Sequence, residues 1–162
     1  DTDFMNSVLP STTLITLGNK ANVNNTDDFI MYVWAQKQGY FHAGEYVGNN
    51  STDGTFCYTG FRPACVIAKN REQASSGPWS WQIWNDNRIG YTEENNQMYP
   101  NTTAAEGGEN YIDFLSNGFK LRTGNAGAND LNDDFIYCAW ARAPFVNSNG
   151  VPTTSRYFGG FF

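Results

Sequence analysis

A short segment of this chain occurs twice, once near each end. Gly18-Asn19 leads through an Asn-rich loop into Asp27-Asp28-Phe29-Ile30 and then Trp34-Ala35, and the pattern returns 106 residues later, from Gly124-Asn125 to Trp140-Ala141. Because this spacing is kept throughout without a gap, we infer that one structural unit is used at both ends of the chain. The repeat therefore predicts a single body whose two ends are built alike.

The composition favours short β-strands over helices. Aromatic residues make up 16% of the chain, charged residues make up another 16%, and Asn, Thr, Gly and Ser separate the apolar runs. This mixture is typical of strands joined by polar turns, and no stretch keeps apolar residues at helical spacing for three turns. The length of 162 residues suits one domain with a substantial core. The turn signals predict about nine or ten strands at the spacing of a sandwich.

Several strands can be placed from the local pattern. Thr13–Leu17 and Phe29–Trp34 are predicted strands, the second central because it is apolar on both faces, and Gly39–Gly48 resembles an edge strand. Tyr111–Leu115 should pair with Phe119–Arg122 across an Asn-Gly turn, with Phe119 and Leu121 pointing inward. We predict an all-β antiparallel sandwich, jelly-roll or concanavalin-like, with duplicated terminal hairpins. Its expected parts are a leading arm at 1–12, the sandwich at 13–156 and an aromatic C-terminal tail at 157–162.

Charge and hydropathy exclude two classes of partner. The formal net charge of −6 argues against a nucleic-acid groove, which needs clustered Lys and Arg. No apolar run approaches the roughly 20 residues of a membrane helix. No secretory signal is visible, and because the chain starts at Asp1 without Met we expect a fragment or a processed product.

The three cysteines leave at least one thiol unpaired. Cys57, Cys65 and Cys138 all lie in strand-like apolar runs, which favours buried free thiols, although a bridge between Cys57 and Cys65 stays open. Their spacing does not resemble a zinc site.

Four stretches together resemble a β-sandwich module of tailed-bacteriophage structural proteins, one that often follows a laminin-G- or concanavalin-like domain in tail and host-recognition proteins. They are Gly39–Asn49 (GYFHAGEYVGN), Tyr58–Lys69 (YTGFRPACVIAK), Ile112–Gly124 (IDFLSNGFKLRTG) and Phe135–Arg156 (FIYCAWARAPFVNSNGVPTTSR). The resemblance runs from about Leu14 to Arg156. The chain departs from the family's pattern at Cys65, where a larger apolar residue is usual, and in its aromatic tail.

The resemblance implies a virion component, such as a tail fibre, tail tip or other surface adhesin, assembled in the cytoplasm of a bacterial host. The expected partners are other copies of the chain, further virion proteins and a host-surface polysaccharide. The family offers no catalytic residues to carry over. A purely structural role, as a capsid decoration or packing module, is the alternative.

The tryptophan-rich segment at residues 79–84 suggests a sugar-binding surface, because lectins stack sugars on aromatic rings beside polar side chains. Trp79 and Trp81 share one face and are expected in the core, whereas Trp84 has the opposite parity and is expected at the surface. Even so, a position in the core or an interface is favoured over sugar contact for these tryptophans. The predicted glycan site consists of Trp84, Asp86, Asn87, Arg88 and Tyr91.

Acidic residues before the second repeat strand are weak candidates for Ca²⁺ ligands. Asp130, Asp133 and Asp134 would supply oxygens, and Asp27-Asp28 repeats the pair. The sequence lacks the twelve-residue EF-hand pattern, and Asp and Asn commonly bond to the backbone of turns. We therefore expect capping at these positions and predict no required cofactor.

Catalysis is not expected. A glycan depolymerase would need two carboxylates across a cleft, and the single histidine, His42, has no nucleophile motif beside it. The carboxylates available for such a pair lie mostly in one long polar region: Glu93, Glu94, Glu106, Glu109 and Asp113.

The C-terminal tail is unusually aromatic. Its last six residues hold one tyrosine and three phenylalanines around two glycines, a group that is costly to leave in water. The tail would fold back onto its own sandwich or pack into a neighbouring subunit, and we favour the subunit contact. The predicted oligomer contact consists of Tyr157, Phe158, Phe161 and Phe162.

Overall fold

Strands dominate the regular structure of this protein. The structure is a computed structural model that describes residues 5, 7–73, 79–87, 96–108 and 110–143. Seven strands and one short helix are present in those residues: β1 Phe41–Val47, β2 Phe56–Tyr58, β3 Pro63–Asn70, β4 Gln82–Asn85, β5 Ile112–Leu115, β6 Gly118–Leu121, α1 Ala126–Asn129 and β7 Asp134–Ala141.

The strands form two antiparallel sheets. One sheet has four strands in the order β1-β7-β3-β4, and the other has three in the order β2-β6-β5. The β5–β6 hairpin forms across Ser116 and Asn117, as the local turn signal predicts, with Phe114 opposite Phe119. This architecture confirms the prediction of an all-β antiparallel sandwich.

The core lies between the two sheets and is rich in aromatic rings. Phe135 and Tyr137 alternate inward along β7, and Phe119 and Leu121 enter from β6 with no exposed surface. The ring of Tyr46 stacks on Phe135 at 4.9 Å between centroids, and Phe119 meets Tyr137 edge-on at 5.0 Å. Such offset and edge-on pairs add to the stabilisation from apolar burial. The inward orientation predicted for Phe119 and Leu121 is confirmed.

The corner that precedes β7 is fixed by one buried amide. The side chain of Asn129 is fully buried and donates from Nδ2 toward Asn49 Oδ1 at 2.8 Å and the Thr123 carbonyl at 2.8 Å. Its Oδ1 accepts from the backbone N–H of Asn49 at 2.9 Å. Beside it, a Cβ placed on Gly48 would lie 1.9 Å from the Asp130 carbonyl oxygen. The turn after β1 is therefore held directly against the segment that leads into β7.

The two copies of the repeat differ in structure. The second copy supplies β7, which pairs with β1 on one side and β3 on the other. The first copy, Phe29–Trp34, is not a strand, and neither is Thr13–Leu17, so both strand predictions and the duplicated terminal hairpins are wrong. A strand needs a neighbouring strand with which to pair, and residues 7–34 contain no strand. Gly39–Gly48 is confirmed as an edge strand, since β1 ends the four-stranded sheet.

The chain divides into two compact units, Asp1–Trp34 and Ala35–Phe162. The division falls between residues 34 and 35, whereas the sequence places the start of the sandwich at residue 13. All seven strands lie in the second unit. Over the part of the chain that is described, no helix is both long enough and apolar enough to span a membrane.

The first unit exposes most of its apolar side chains. An open groove of about 480 Å³ is lined by apolar residues alone apart from the hydroxyl of one tyrosine. Its lining residues are Met5, Ile15, Leu17, Val23, Met31, Tyr32, Val33 and Trp34. The predicted arm at 1–12 falls in this unit, and its residues 1–4 and 6 lie outside the described residues.

Candidate functional site

Trp81, which directly precedes β4, and Trp84, which lies within β4, have opposite environments. Trp84 has no exposed surface, whereas 37% of Trp81 is exposed. Trp84 lies opposite Val66 of β3, which is also fully buried, and its ring is 6.3 Å from that of Tyr111. The side chain of Trp84 therefore points between the sheets. The favoured interpretation of Trp84 as a core residue is confirmed, and its predicted role in a glycan site is not supported. The prediction that Trp81 lies in the core is wrong, because the inward face of β4 is the one that carries Gln82 and Trp84.

The acidic member of the predicted glycan patch is used inside the protein. The Asp86 side chain is 1% exposed, bonds to the guanidinium of Arg142, and has Arg62 Nε at 3.9 Å. A carboxylate held by two cations in a buried position fixes the end of β4 and does not face a ligand. Asn87 is exposed. Arg88 and Tyr91 lie outside the described residues. Of the predicted glycan residues that are described, Trp84 and Asp86 are buried and Asn87 is exposed, so they do not form a surface patch.

A shallow groove lies beside Trp81 instead. Its volume is about 340 Å³, and it is lined by Ser80, Tyr99, Thr102 and Ala104. The backbone N–H of Trp81 donates to Asn101 Oδ1 at 3.1 Å, which ties the residues 99–104 to the start of β4. Two backbone bonds between Ile83 and Met98, of 2.9 and 3.0 Å, bring this segment to the edge of the sheet. The groove is therefore built where a β-strand and a loop meet.

The groove presents uncharged polar groups and aromatic rings. Ser80 is 1% exposed, and its Oγ has no hydrogen-bond partner among the described residues. Thr102 is exposed and Tyr99 is half-buried, and the four lining residues carry no charge. Buried hydroxyls normally have a partner. The groove holds this unpartnered hydroxyl and the ring of Tyr99, and the exposed Trp81 follows Ser80 in the chain. Such groups are suited to a neutral ligand with many hydroxyl groups, because rings stack on its apolar face while hydroxyl and amide groups bond to its edge.

The acidic residues considered for Ca²⁺ have partners within the protein. Asp133 accepts from the amide of Asn70 at 2.8 Å, and Asp134 bonds to Arg71 at 3.1 Å. Asp130 Oδ1 accepts from the backbone N–H of Leu131 at 3.0 Å. Among the described residues, no group of three or more His, Cys, Asp or Glu side chains is arranged to hold a metal ion. These carboxylates order the approach to β7.

The residues considered for catalysis are held in separate structural contacts. The His42 ring stacks on Tyr137, and its Nδ1 lies 3.1 Å from the tyrosine hydroxyl. Asp113 bonds to Arg122 at 2.5 Å. Glu106 is exposed, while Glu93, Glu94 and Glu109 lie outside the described residues.

The three thiols are free and shielded. Cys57 is buried in the core, and Cys65 and Cys138 are half-buried on the four-stranded sheet. Burial raises the pKa of Cys57 to about 12 and that of Cys65 to about 11, and in Cys65 the nearby charge of Asp86 adds to the effect. Burial also raises the pKa of the Cys138 thiol. The prediction of unbridged thiols is confirmed, and a high pKa makes each a poor nucleophile at neutral pH.

Sequence reasoning missed most of the groove. Ser80, Tyr99, Asn101 and Thr102 lie in or beside a region whose fold has no periodic signal. The one available signal is the alternation of Trp79, Trp81 and Ile83, which predicts that these side chains point into the core. In the structure, Gln82 and Trp84 point into the core instead. The aromatic tail, Tyr157–Phe162, lies outside the described residues.

Comparison with known proteins gives one match. The model of a family described as a domain of unknown function (DUF7483) matches residues 1–144. No curated protein and no solved structure matches the chain.

Proposed function

The chain belongs to the DUF7483 family, and we propose that it is a binding module on the surface of a tailed-bacteriophage virion, part of a tail fibre or tail tip. Its ligand is a host-surface glycan, bound without any chemical step. The support is twofold: the four sequence stretches that resemble phage structural modules, and a sandwich that carries an uncharged, aromatic groove at one sheet edge.

The observation that carries this proposal is the exposed Trp81, which directly follows Ser80, one of the residues that line the groove. Trp81 is 37% exposed, and Ser80, Tyr99 and Thr102 bring hydroxyl groups to the groove. This end of β4 therefore carries both kinds of group used in sugar recognition, an aromatic surface and hydrogen-bonding groups. The site is shallow, so a single copy would bind weakly. Several copies on one particle would raise the overall strength through multivalency without further contacts.

The proposed virion module would work as an oligomer of this chain. We propose that Tyr157, Phe158, Phe161 and Phe162 form the contact between copies, because so many aromatic side chains in one short segment would be costly to leave in water. Deletion of residues 157–162 should then shift the molar mass in solution toward the monomer. An unchanged mass would refute the tail contact and leave the groove proposal intact.

A purely structural role in the virion, without a receptor, is the second candidate. One observation favours it: the outer face of the four-stranded sheet carries apolar side chains. Ile136 is 37% exposed, and Ile67 and Cys138 are half-buried beside it. An antiparallel sheet that faces water usually has polar residues there, so this face would suit packing against another virion protein.

The proposal is tested by glycan binding with a matched pair of variants. Trp81→Ala removes the exposed indole that follows Ser80 at the start of β4, and Tyr58→Ala removes an aromatic ring that is 64% exposed on β2 of the other sheet. Binding to a bacterial glycan array should be lost in the first variant and kept in the second. Equal binding by both variants would refute the assignment of the groove.

A further inference from the structure

The first copy of the repeat has core residues at the same positions as the second copy. At the constant offset of 106 residues, Phe29 corresponds to Phe135, Met31 to Tyr137 and Val33 to Ala139. In the second copy these three positions point between the sheets, with exposures of 0%, 5% and 0%. Ile15 likewise corresponds to Leu121 of β6, which has no exposed surface.

In the first copy the same positions are open to solvent. Phe29 is 49% exposed, Met31 52% and Val33 64%. Ile15, Met31 and Val33 line the apolar groove of the first unit. Soluble proteins seldom leave six consecutive large apolar side chains each at least 47% exposed, as Phe29–Trp34 are. The groove thus contains one side of a sandwich core without the other.

We propose that residues 14–35 are the closing segment of a second sandwich of this same fold, and that Phe29–Trp34 is an interaction surface for that sandwich. The partner is a sheet that presents strands equivalent to β1 and β3 with the position between them open. The segment enters as the seventh strand and covers its apolar side chains with the partner's core.

The contacts of β7 show what this partner must offer. Six residues of β7, Phe135 to Trp140, lie between two antiparallel neighbours, so backbone bonds are made on both edges. Phe135 stacks on Tyr46 of β1, and the identical Phe29 has the same ring to offer. Met31 in place of Tyr137 is a flexible apolar side chain that adapts to irregular space. Val33 in place of Ala139 adds two methyl groups, which the partner's core must accommodate.

The alternation of inward and outward side chains along Phe29–Trp34 provides a sharp test. A strand in the position of β7 turns Phe29 toward the core and Ile30 outward, because Ile136, the equivalent of Ile30, is 37% exposed. Phe29→Asp should therefore abolish the interaction, while Ile30→Asp should leave it intact. Nonspecific hydrophobic association of the segment would be reduced about equally by either substitution.

The full-length chain can serve as its own probe. Phe135→Asp weakens the resident seventh strand, so that Phe29–Trp34 of a second copy is the remaining segment of matching sequence. We expect this variant to keep a cooperative urea transition and to have a molar mass above the monomer by light scattering. Phe135→Asp combined with Phe29→Asp should lose the transition, and Phe135→Asp combined with Ile30→Asp should keep it.

A folded Phe135→Asp variant with a mass above the monomer, whose transition depends on Phe29 and not on Ile30, supports the proposal. A monomeric mass would overturn the contact between copies. An unfolded Phe135→Asp variant would overturn the assignment. Equal effects of Phe29→Asp and Ile30→Asp would also overturn the assignment. Phe29→Asp alone should leave the unfolding midpoint of the sandwich unchanged, which controls for damage elsewhere.

Discussion

Trp84→Ala should destabilise the sandwich by about 3–5 kcal/mol, whereas Trp81→Ala should cost less than about 1 kcal/mol. A fully buried tryptophan removes about 150–250 Å² from water, which corresponds to roughly 4–6 kcal/mol at about 25 cal/mol per Å². Trp84 has no exposed surface. Its Nε1 also has no hydrogen-bond partner among the described residues, and removal of that unsatisfied donor offsets about 1 kcal/mol of the loss.

The assay is urea unfolding followed by far-ultraviolet circular dichroism, which reports on the strands without relying on tryptophan fluorescence. Because domains are stable by only about 5–15 kcal/mol, the loss at Trp84 should be plain as a large shift in midpoint. Trp81 is the matched control, three positions away and with the same side chain. Its backbone bond to Asn101 survives the substitution. Equal costs for the two variants, or a cost below about 1 kcal/mol for Trp84→Ala, would refute the assigned inward face of β4.

Three further predictions concern the corner before β7 and the thiols. Asn129→Ala should destabilise by about 3 kcal/mol, measured by urea unfolding, because the buried carbonyl of Thr123 and the partly buried N–H of Asn49 lose their partner; a cost near that of an exposed asparagine would contradict this. Since burial raises the pKa of Cys57 to about 12 from an ordinary 9.0, its contribution to stability should be complete below pH 9 and be lost as pH rises toward 12. Cys57→Ala should weaken that alkaline loss, and an unchanged pH profile would count against it. Alkylation of native Cys65 should be slow at pH 8 and accelerate toward pH 11, near its raised pKa of about 11; rapid labelling at pH 8 would show that the thiol is not shielded.

The parts of the fold that local signals specify could be predicted from the sequence. The Asn-Gly turn at Asn117 and Gly118 and the alternation of Phe119 and Leu121 are enough to define the β5–β6 hairpin. The free state of the thiols followed from their apolar surroundings. These features depend on neighbours a few residues apart, which a pattern can record.

The features that depend on distant neighbours could not be predicted in this way. The segment Trp79–Trp84 carries large apolar side chains at both parities, so alternation alone does not say which face meets the second sheet. Phe29–Trp34 has the sequence of a central strand but no flanking strand in residues 7–34. The groove depends on the approach of residues 99–104 to β4, which no periodic pattern marks.

The most direct test of the proposed function is a binding isotherm of the folded, mass-checked protein on extracted bacterial surface polysaccharides, with Trp81→Ala alongside. We expect saturable binding to at least one polysaccharide, which the free polysaccharide competes away. We expect Trp81→Ala to lose this binding while its urea midpoint is nearly unchanged. Absence of binding by the folded protein across the panel, or binding that is indifferent to Trp81, would contradict a glycan site at this groove.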